Sequence, residues 1–160
     1  MHNTGIQIEP NLNLSMYTRP MEPTDIPRLV EIDAESNNPP WSGAMFEREL
    51  GLPFSVCLAA TANRGNAPIG FGVIWCIEES AQLIQLAVSA QHRGKGVGTL
   101  LMQNLFTQAQ ERGTKNMTLE VRETNLAAIA LYKHFGFQAT GNRPKFYGNE
   151  NALLMTCEIK

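Results

Sequence analysis

A run of three glycines in five positions, Arg93-Gly94-Lys95-Gly96-Val97-Gly98-Thr99, limits what this chain can build more than any other stretch. It lies between an apolar, strand-like segment (Leu83 to Val88) and a segment with helical spacing of Val97, Leu100, Leu101, Leu105, Phe106 and Ala109. Strand, glycine loop and helix together present backbone N–H groups and the positive end of a helix dipole to an anion. Glycines at 94, 96 and 98 let a bulky phosphate reach the main chain without meeting a Cβ. Lys95 and Arg93 add positive charge at the same place. The stretch therefore points to a ligand carrying a pyrophosphate, with an ordinary glycine-rich turn as the plain alternative.

Three ligand loops compete for these residues. A Walker A loop needs Ser or Thr after its Lys, and Lys95 is followed by Gly96. A dinucleotide fingerprint needs G-x-G-x-x-G, and the third glycine falls on Thr99 or on Leu101. Glu120 does stand at a workable distance for a ribose-binding acid, so that reading is weakened rather than removed. The third pattern, R-x-x-G-x-G, is filled by Arg93, Gly96 and Gly98, and it resembles the acyl-CoA loop of the GCN5-related N-acetyltransferase (GNAT) superfamily.

The chain as a whole fits one globular domain. Its 160 residues can bury about two-thirds of the unfolded surface, and 43% hydrophobic against 18% charged residues places it far from disordered compositions. A net charge of −2 offers no electrostatic case for nucleic acid or for an anionic membrane surface. The apolar runs are too short to span a bilayer. Cys57, Cys76 and Cys157 sit apart in apolar strand-like surroundings, with no C-x-x-C pair and no clustering with His2, His92 or His134. Reduced thiols, no metal and a cytoplasmic location are expected, and no secretion signal is read at the N-terminus.

Residues 1–15 are polar and without period, and read as a mobile N-terminal extension with a short edge segment at Ile6–Ile8. Residues 16–160 form the expected domain. A first strand covers Ser15 to Arg19. Thr24 or Asp25 caps a helix with Pro27 in its first turn, ending near Ser36 before Asn37-Asn38-Pro39-Pro40. Ser42 caps a second helix, Gly43 to Leu50. Phe54–Thr61 and Ile69–Ile77 pair around Asn63-Arg64-Gly65-Asn66, and Leu83–Val88 follows. The long helix runs from about Gly96 to Glu111 and stops at Gly113. Met117–Val121 alternates as a strand, Asn125–Phe135 is helical, and Phe137–Ala139 and Ala152–Ile159 close the sheet. The order predicts an α/β (α+β) fold with a mixed, mostly antiparallel sheet of about seven strands flanked by about four helices.

Nearly everything after residue 15 resembles the GNAT superfamily. Three stretches look like its RimI type, a bacterial enzyme that acetylates the N-terminal amine of a ribosomal protein: Pro40-Trp41-Ser42, Leu119-Glu120-Val121-Arg122, and Asn125-Leu126-Ala127-Ala128-Ile129-Ala130-Leu131-Tyr132 leading to Gly136-Phe137. Some sequences of this type have Asn in place of Gln85, two tyrosines in place of Phe146-Tyr147, and Glu-Asp-Ala in place of Glu150-Asn151-Ala152. These departures bear on the protein substrate, not on the chemistry. The resemblance implies acetyl-CoA as cosubstrate and a protein or peptide N-terminus as acceptor, in a monomer or weak homodimer.

Acetyl transfer requires a neutral amine, a polarised carbonyl, close approach and a proton for the departing thiolate. Strand alternation turns Glu120 away from the apolar face of Met117, Leu119 and Val121, where it can act as a base or simply pair with Arg122. Tyr132 fits a packed aromatic or, as the resemblance implies, the acid that protonates the thiolate. Asn125 caps a helix and, by resemblance, contacts the cofactor. The resemblance also implies that Leu86, Ala87 and Val88 bind the pantetheine arm through their backbone, with the Val88 N–H polarising the thioester. Arg93, Gly94, Lys95, Gly96, Val97, Gly98 and Thr99 complete the cofactor-binding set. Trp41, Phe146 and Tyr147 are loop aromatics that either wall a peptide groove or pack, and Arg143 and Lys145 either meet acidic substrate or face solvent. The same residues would also serve a GNAT acting on a small-molecule amine, or a non-catalytic CoA-binding regulatory module, though a mere binder needs neither Glu120 nor Tyr132.

Overall fold

The computed structural model describes residues 8–11, 14–63 and 65–160. Among them, eight strands form one sheet in the order β1-β2-β3-β4-β5-β6-β8-β7, with four α-helices against it. The strands are β1 (Ile8–Asn11), β2 (Leu14–Pro20), β3 (Ser55–Ala62), β4 (Gly70–Ile77), β5 (Ser80–Val88), β6 (Asn116–Arg122), β7 (Gln138–Arg143) and β8 (Ala152–Glu158). The helices are α1 (Ile26–Ala34), α2 (Gly43–Leu50), α3 (Val97–Glu111) and α4 (Leu126–His134). Seven strands and all four helices stand where the sequence places them. The eighth, β1, pairs antiparallel with β2. Of the expected Ile6–Ile8 edge segment, residues 6 and 7 lie outside the described residues.

Local chemistry sets the helix boundaries. Asp25, before α1, accepts both guanidinium donors of Arg19 at 2.7 Å and the Glu22 N–H at 2.8 Å, which fixes how the chain enters the helix. Ser42 accepts the Met45 N–H at 3.3 Å and opens α2. Asn125 accepts the Ala128 N–H at 3.2 Å and opens α4. Gly96 starts α3 at φ 89°, a backbone angle that costs other residues strain.

The sheet has a core on each face. Helix α3 lays Val97, Leu100, Leu101 and Leu105 on one face, joined by Met117, Leu119 and Met155. On the other face, Leu29, Ile32 and Phe46 from α1 and α2 meet Phe71 and Val73. Phe46 is fully buried, with edge-on contacts to Trp41 at 5.2 Å and Phe71 at 5.1 Å. Truncating such a ring to alanine costs about 3–5 kcal/mol.

One seam is unlike the rest. β5 and β6 are the parallel neighbours, and they pair only at Ser80–Gln82 with Asn116–Thr118. Beyond that point β5 keeps its pairing with β4 and β6 keeps its pairing with β8, so the two strands separate within a continuous sheet. A register shift between Val73 and Ile74 leaves Ile84 without a partner across from it and bends β5 where the separation begins.

Candidate active site

The separation of β5 and β6 opens a cleft of about 740 Å³. Its first wall is the free side of β5. The Ser89 N–H donates to the Ile69 carbonyl at 2.8 Å, which makes the neighbouring Gly70–Val88 pair a non-hydrogen-bonded one. The N–H and C=O of Val88 therefore point away from β4 into the cleft, and those of Leu86 do the same by alternation. Leu86, Ala87 and Val88 all line the cleft.

The glycine loop forms one end. Gly94 at φ 74° and Gly96 at φ 89° carry the chain through left-handed turns into the first turn of α3, whose N–H groups open on the cleft. Arg93, Gly94, Gly96, Val97, Gly98 and Thr99 line it, while Lys95 is not among the lining residues. The Arg93 guanidinium is committed to protein oxygens: the Glu35 carbonyl at 3.1 Å, the Ser36 hydroxyl at 2.8 Å and, through Nε, the Val88 carbonyl at 3.3 Å. Its charge stays at the loop, but its hydrogen bonds tie the end of α1 to the end of β5 and leave an anion to the main chain. His92 also lines the cleft; its Nδ1 lies 2.6 Å from the Ser89 hydroxyl, and burial followed by nearby Lys95 and Arg28 holds the imidazole below its usual pKa.

The opposite end gathers Glu120, Tyr132, Asn125, Trp41 and Tyr147 at one cleft. β6 alternates as expected, with Met117, Leu119 and Val121 buried and Thr118, Glu120 and Arg122 on the other face. The partner of Glu120 is not Arg122. Arg143 reaches across from β7 and places Nη1 3.3 Å from Glu120 Oε1, while Oε2 is buried with no hydrogen-bond partner among the described residues. Arg122 instead pairs with Glu150 at 3.0 Å, donates to the Asn38 carbonyl at 2.6 Å and lies 4.3 Å from the centre of the Tyr147 ring. β6 is antiparallel to β8, and β8 to β7; that register sets Gly141 level with Glu120 and Arg143 level with Arg122, so Arg143 reaches diagonally over β8 to Glu120 although 22 residues separate them in sequence.

Tyr132 is buried on α4, edge-on to Phe137 at 5.8 Å. Burial, and then the neighbouring Tyr147 phenol, pushes its pKa well above the usual tyrosine range. Burial therefore does not bring the phenol closer to a thiolate's proton affinity; only desolvation of the thiolate in the same cleft narrows the gap. Tyr147 donates to the Glu120 carbonyl at 3.3 Å. Phe146 lies off the main cleft, in a second hollow of about 330 Å³ that it shares with Glu120, Arg143, Tyr147 and Ile84. Lys145 is exposed.

One residue that supports the cleft from behind was not singled out from sequence. Asp33 is fully buried and accepts from Gln85 Nε2 at 3.0 and 3.1 Å, from Asn37 Nδ2 at 2.6 Å and from the Trp41 N–H at 2.7 Å. It fixes the α1–α2 loop to bent β5. An acid on the apolar side of α1 was its one visible signal. Among the described residues no group of His, Cys, Asp and Glu is placed to hold a metal ion, and no helix is long and apolar enough to cross a membrane.

The sequence model of the acetyltransferase (GNAT) family matches residues 26–137. The ribosomal protein bS18-alanine N-acetyltransferase of Haemophilus influenzae is 32% identical over 144 residues, 87% of this chain and 96% of that protein. A putative enzyme of the same name from Bacillus subtilis is 33% identical over 144 residues, 88% and 94% of the two chains. The crystal structure of the ribosomal-protein-S18-alanine N-acetyltransferase from Escherichia coli superposes with a TM-score of 0.80 at 28% identity, covering 91% of this chain and 94% of that one. Nourseothricin acetyltransferase, at 23% identity and a TM-score of 0.74 over 91% and 99% of the two chains, shares the fold.

Proposed function

The chain belongs to the acetyltransferase (GNAT) family, and from that premise we infer that it moves the acetyl group of acetyl-CoA directly to the N-terminal α-amine of a protein, with a ribosomal protein as substrate. Residues 16–160 carry this activity, and the segment before them adds β1 to the sheet edge. The observation that carries the reading is the single cleft in which the glycine loop, the unpaired backbone of β5, Glu120 and Tyr132 meet. Its volume suits a cosubstrate of this size. Relatives of near-equal length named for acetylating an alanine of bS18 support the acceptor class.

In the proposed reaction, main-chain N–H groups of residues 93–99 hold the diphosphate, and the N–H groups of Leu86 and Val88 with the Leu86 C=O align the pantetheine arm, the Val88 C=O being held by Arg93. The Val88 N–H donates to the thioester oxygen as charge develops there. Glu120 takes the proton of an amine that arrives as ammonium, directly or through water; an α-ammonium with a pKa of about 8 gives it up far more readily than a lysine ammonium at about 10.4. The neutral nitrogen bonds to the carbonyl carbon, the C–S bond breaks, the Tyr132 hydroxyl gives its proton to the sulfur, and the proton shed by the new amide nitrogen returns to the Tyr132 oxygen, directly or through water. No cysteine lines the cleft, and burial pushes the thiols of Cys57, Cys76 and Cys157 up from their usual pKa, which supports direct transfer without an acetylated enzyme.

Acetylation of a peptide library, read by mass spectrometry beside a panel of polyamines, amino acids and aminoglycosides, tests this. Peptides modified at their α-amine are expected. Peptides left untouched while a small amine is acetylated would overturn the acceptor class.

A further inference from the structure

Glu120 stands at a junction. It lines the large cleft and also the second hollow, whose other walls are Gln82, Leu83, Ile84, Arg143, Phe146 and Tyr147. The charged side chains that face this hollow are Glu120 from β6 and Arg143 from β7, 3.3 Å apart. Nearby Arg122 and Glu150 neutralise one another. The route by which an acceptor reaches Glu120 from that side therefore carries no net charge.

The pair does not read as a device for stability. The Arg143 side chain is 57% exposed, whereas that of Glu120 is 13% exposed. A half-exposed ion pair adds little to folding. Its strongest effect falls on Glu120, which without Arg143 would be a largely buried carboxylate with no cation against it.

We propose that Arg143 is a specificity-determining residue that makes the site select α-amines over lysine ε-amines, by cancelling the charge through which Glu120 would otherwise draw cations. This rests on the reading of the chain as a protein N-terminal acetyltransferase. With Arg143 in place, an incoming ammonium loses hydration and meets no net negative charge in return. Entry then favours amines that arrive neutral. At pH 7 about one α-amine in ten is neutral, against about one lysine in 2,500. Without Arg143 the bare carboxylate attracts both cations, and the advantage of the neutral amine shrinks. The guanidinium lies 5.4 Å from the Phe146 ring centre, which holds it over the hollow.

The test compares two peptides of one sequence at pH 8 with saturating acetyl-CoA. One has a free α-amine and no lysine; the other has a blocked N-terminus and a single lysine near it. The full-length wild type is expected to prefer the α-amine strongly. Arg143→Gln is expected to shift the ratio of kcat/KM values toward lysine by about tenfold or more, chiefly through a lower KM for the lysine peptide. Arg143→Lys, which keeps the charge, should restore the wild-type ratio. A ratio unchanged in Arg143→Gln, or one displaced equally by Arg143→Lys, would overturn the proposal. A wild type that acetylates small amines but neither peptide would instead overturn the protein-acceptor reading, and this proposal with it.

Discussion

The two ends of the cleft are built from different materials. The glycine-loop end is main chain: left-handed glycines, the opening turn of α3 and strand atoms of β5 turned away from β4 where β6 leaves the seam. The opposite end is side chain, with Glu120 from β6, Arg143 from β7, Tyr132 from α4, Trp41 from the α1–α2 loop and Tyr147 from the β7–β8 loop. A backbone site tolerates change in most side chains around it but not in the conformation that presents it. A side-chain site tolerates backbone adjustment but depends on each functional group. Substitutions at the two ends should therefore fail in different ways.

The largest effect is expected at the glycine-loop end. Gly96→Val puts a β-branched residue at φ 89° and should abolish coenzyme A binding by calorimetry. Unchanged affinity would show that the loop does not hold the diphosphate. Next comes Glu120→Gln, expected to lower kcat by about 10²–10⁴-fold, most at neutral and lower pH, while coenzyme A affinity stays as in the wild type.

Tyr132→Phe should lower kcat by about 10–100-fold with little change in either KM. The pH profile gives a second reading. Because burial raises the Tyr132 pKa, the neutral phenol is the favoured folded form. Its contribution is complete below the ordinary tyrosine pKa of about 10 and is lost only as pH rises through the higher folded value. Wild-type kcat/KM should thus climb as the amine deprotonates and show no decline below pH about 10. A falling limb near pH 8 would remove Tyr132 as the acid.

The smallest effect is expected at Arg122, which touches Asn38, Tyr147 and Glu150 rather than the reacting atoms. Arg122→Met should loosen the two loops beside the acceptor side and raise the peptide KM by about tenfold, with coenzyme A affinity intact. A loss confined to kcat would contradict that positioning role.

Legibility from sequence follows the same division. The glycine loop, the Ser42 and Asn125 caps and the alternation of Met117–Val121 are local, set by φ angles, capping chemistry and a period of two, so their sequence positions carry over directly. The order of strands also follows the punctuation of Gly, Pro and Asn clusters. β1 was less visible because its pairing with β2 is made by a polar segment without alternation.

What the sequence by itself determined was a strand, glycine loop and helix able to hold a diphosphate, with an acid and a phenol further along the chain. Only the tertiary structure decided that β5 and β6 part after three paired residues, that Glu120 answers to Arg143 and not Arg122, and that the Arg93 guanidinium ties the end of α1 to the end of β5. The physical reason is range. Backbone conformation is chosen within a few residues, whereas charge partners are assigned by which strands lie side by side, and in this sheet β8 lies between β6 and β7.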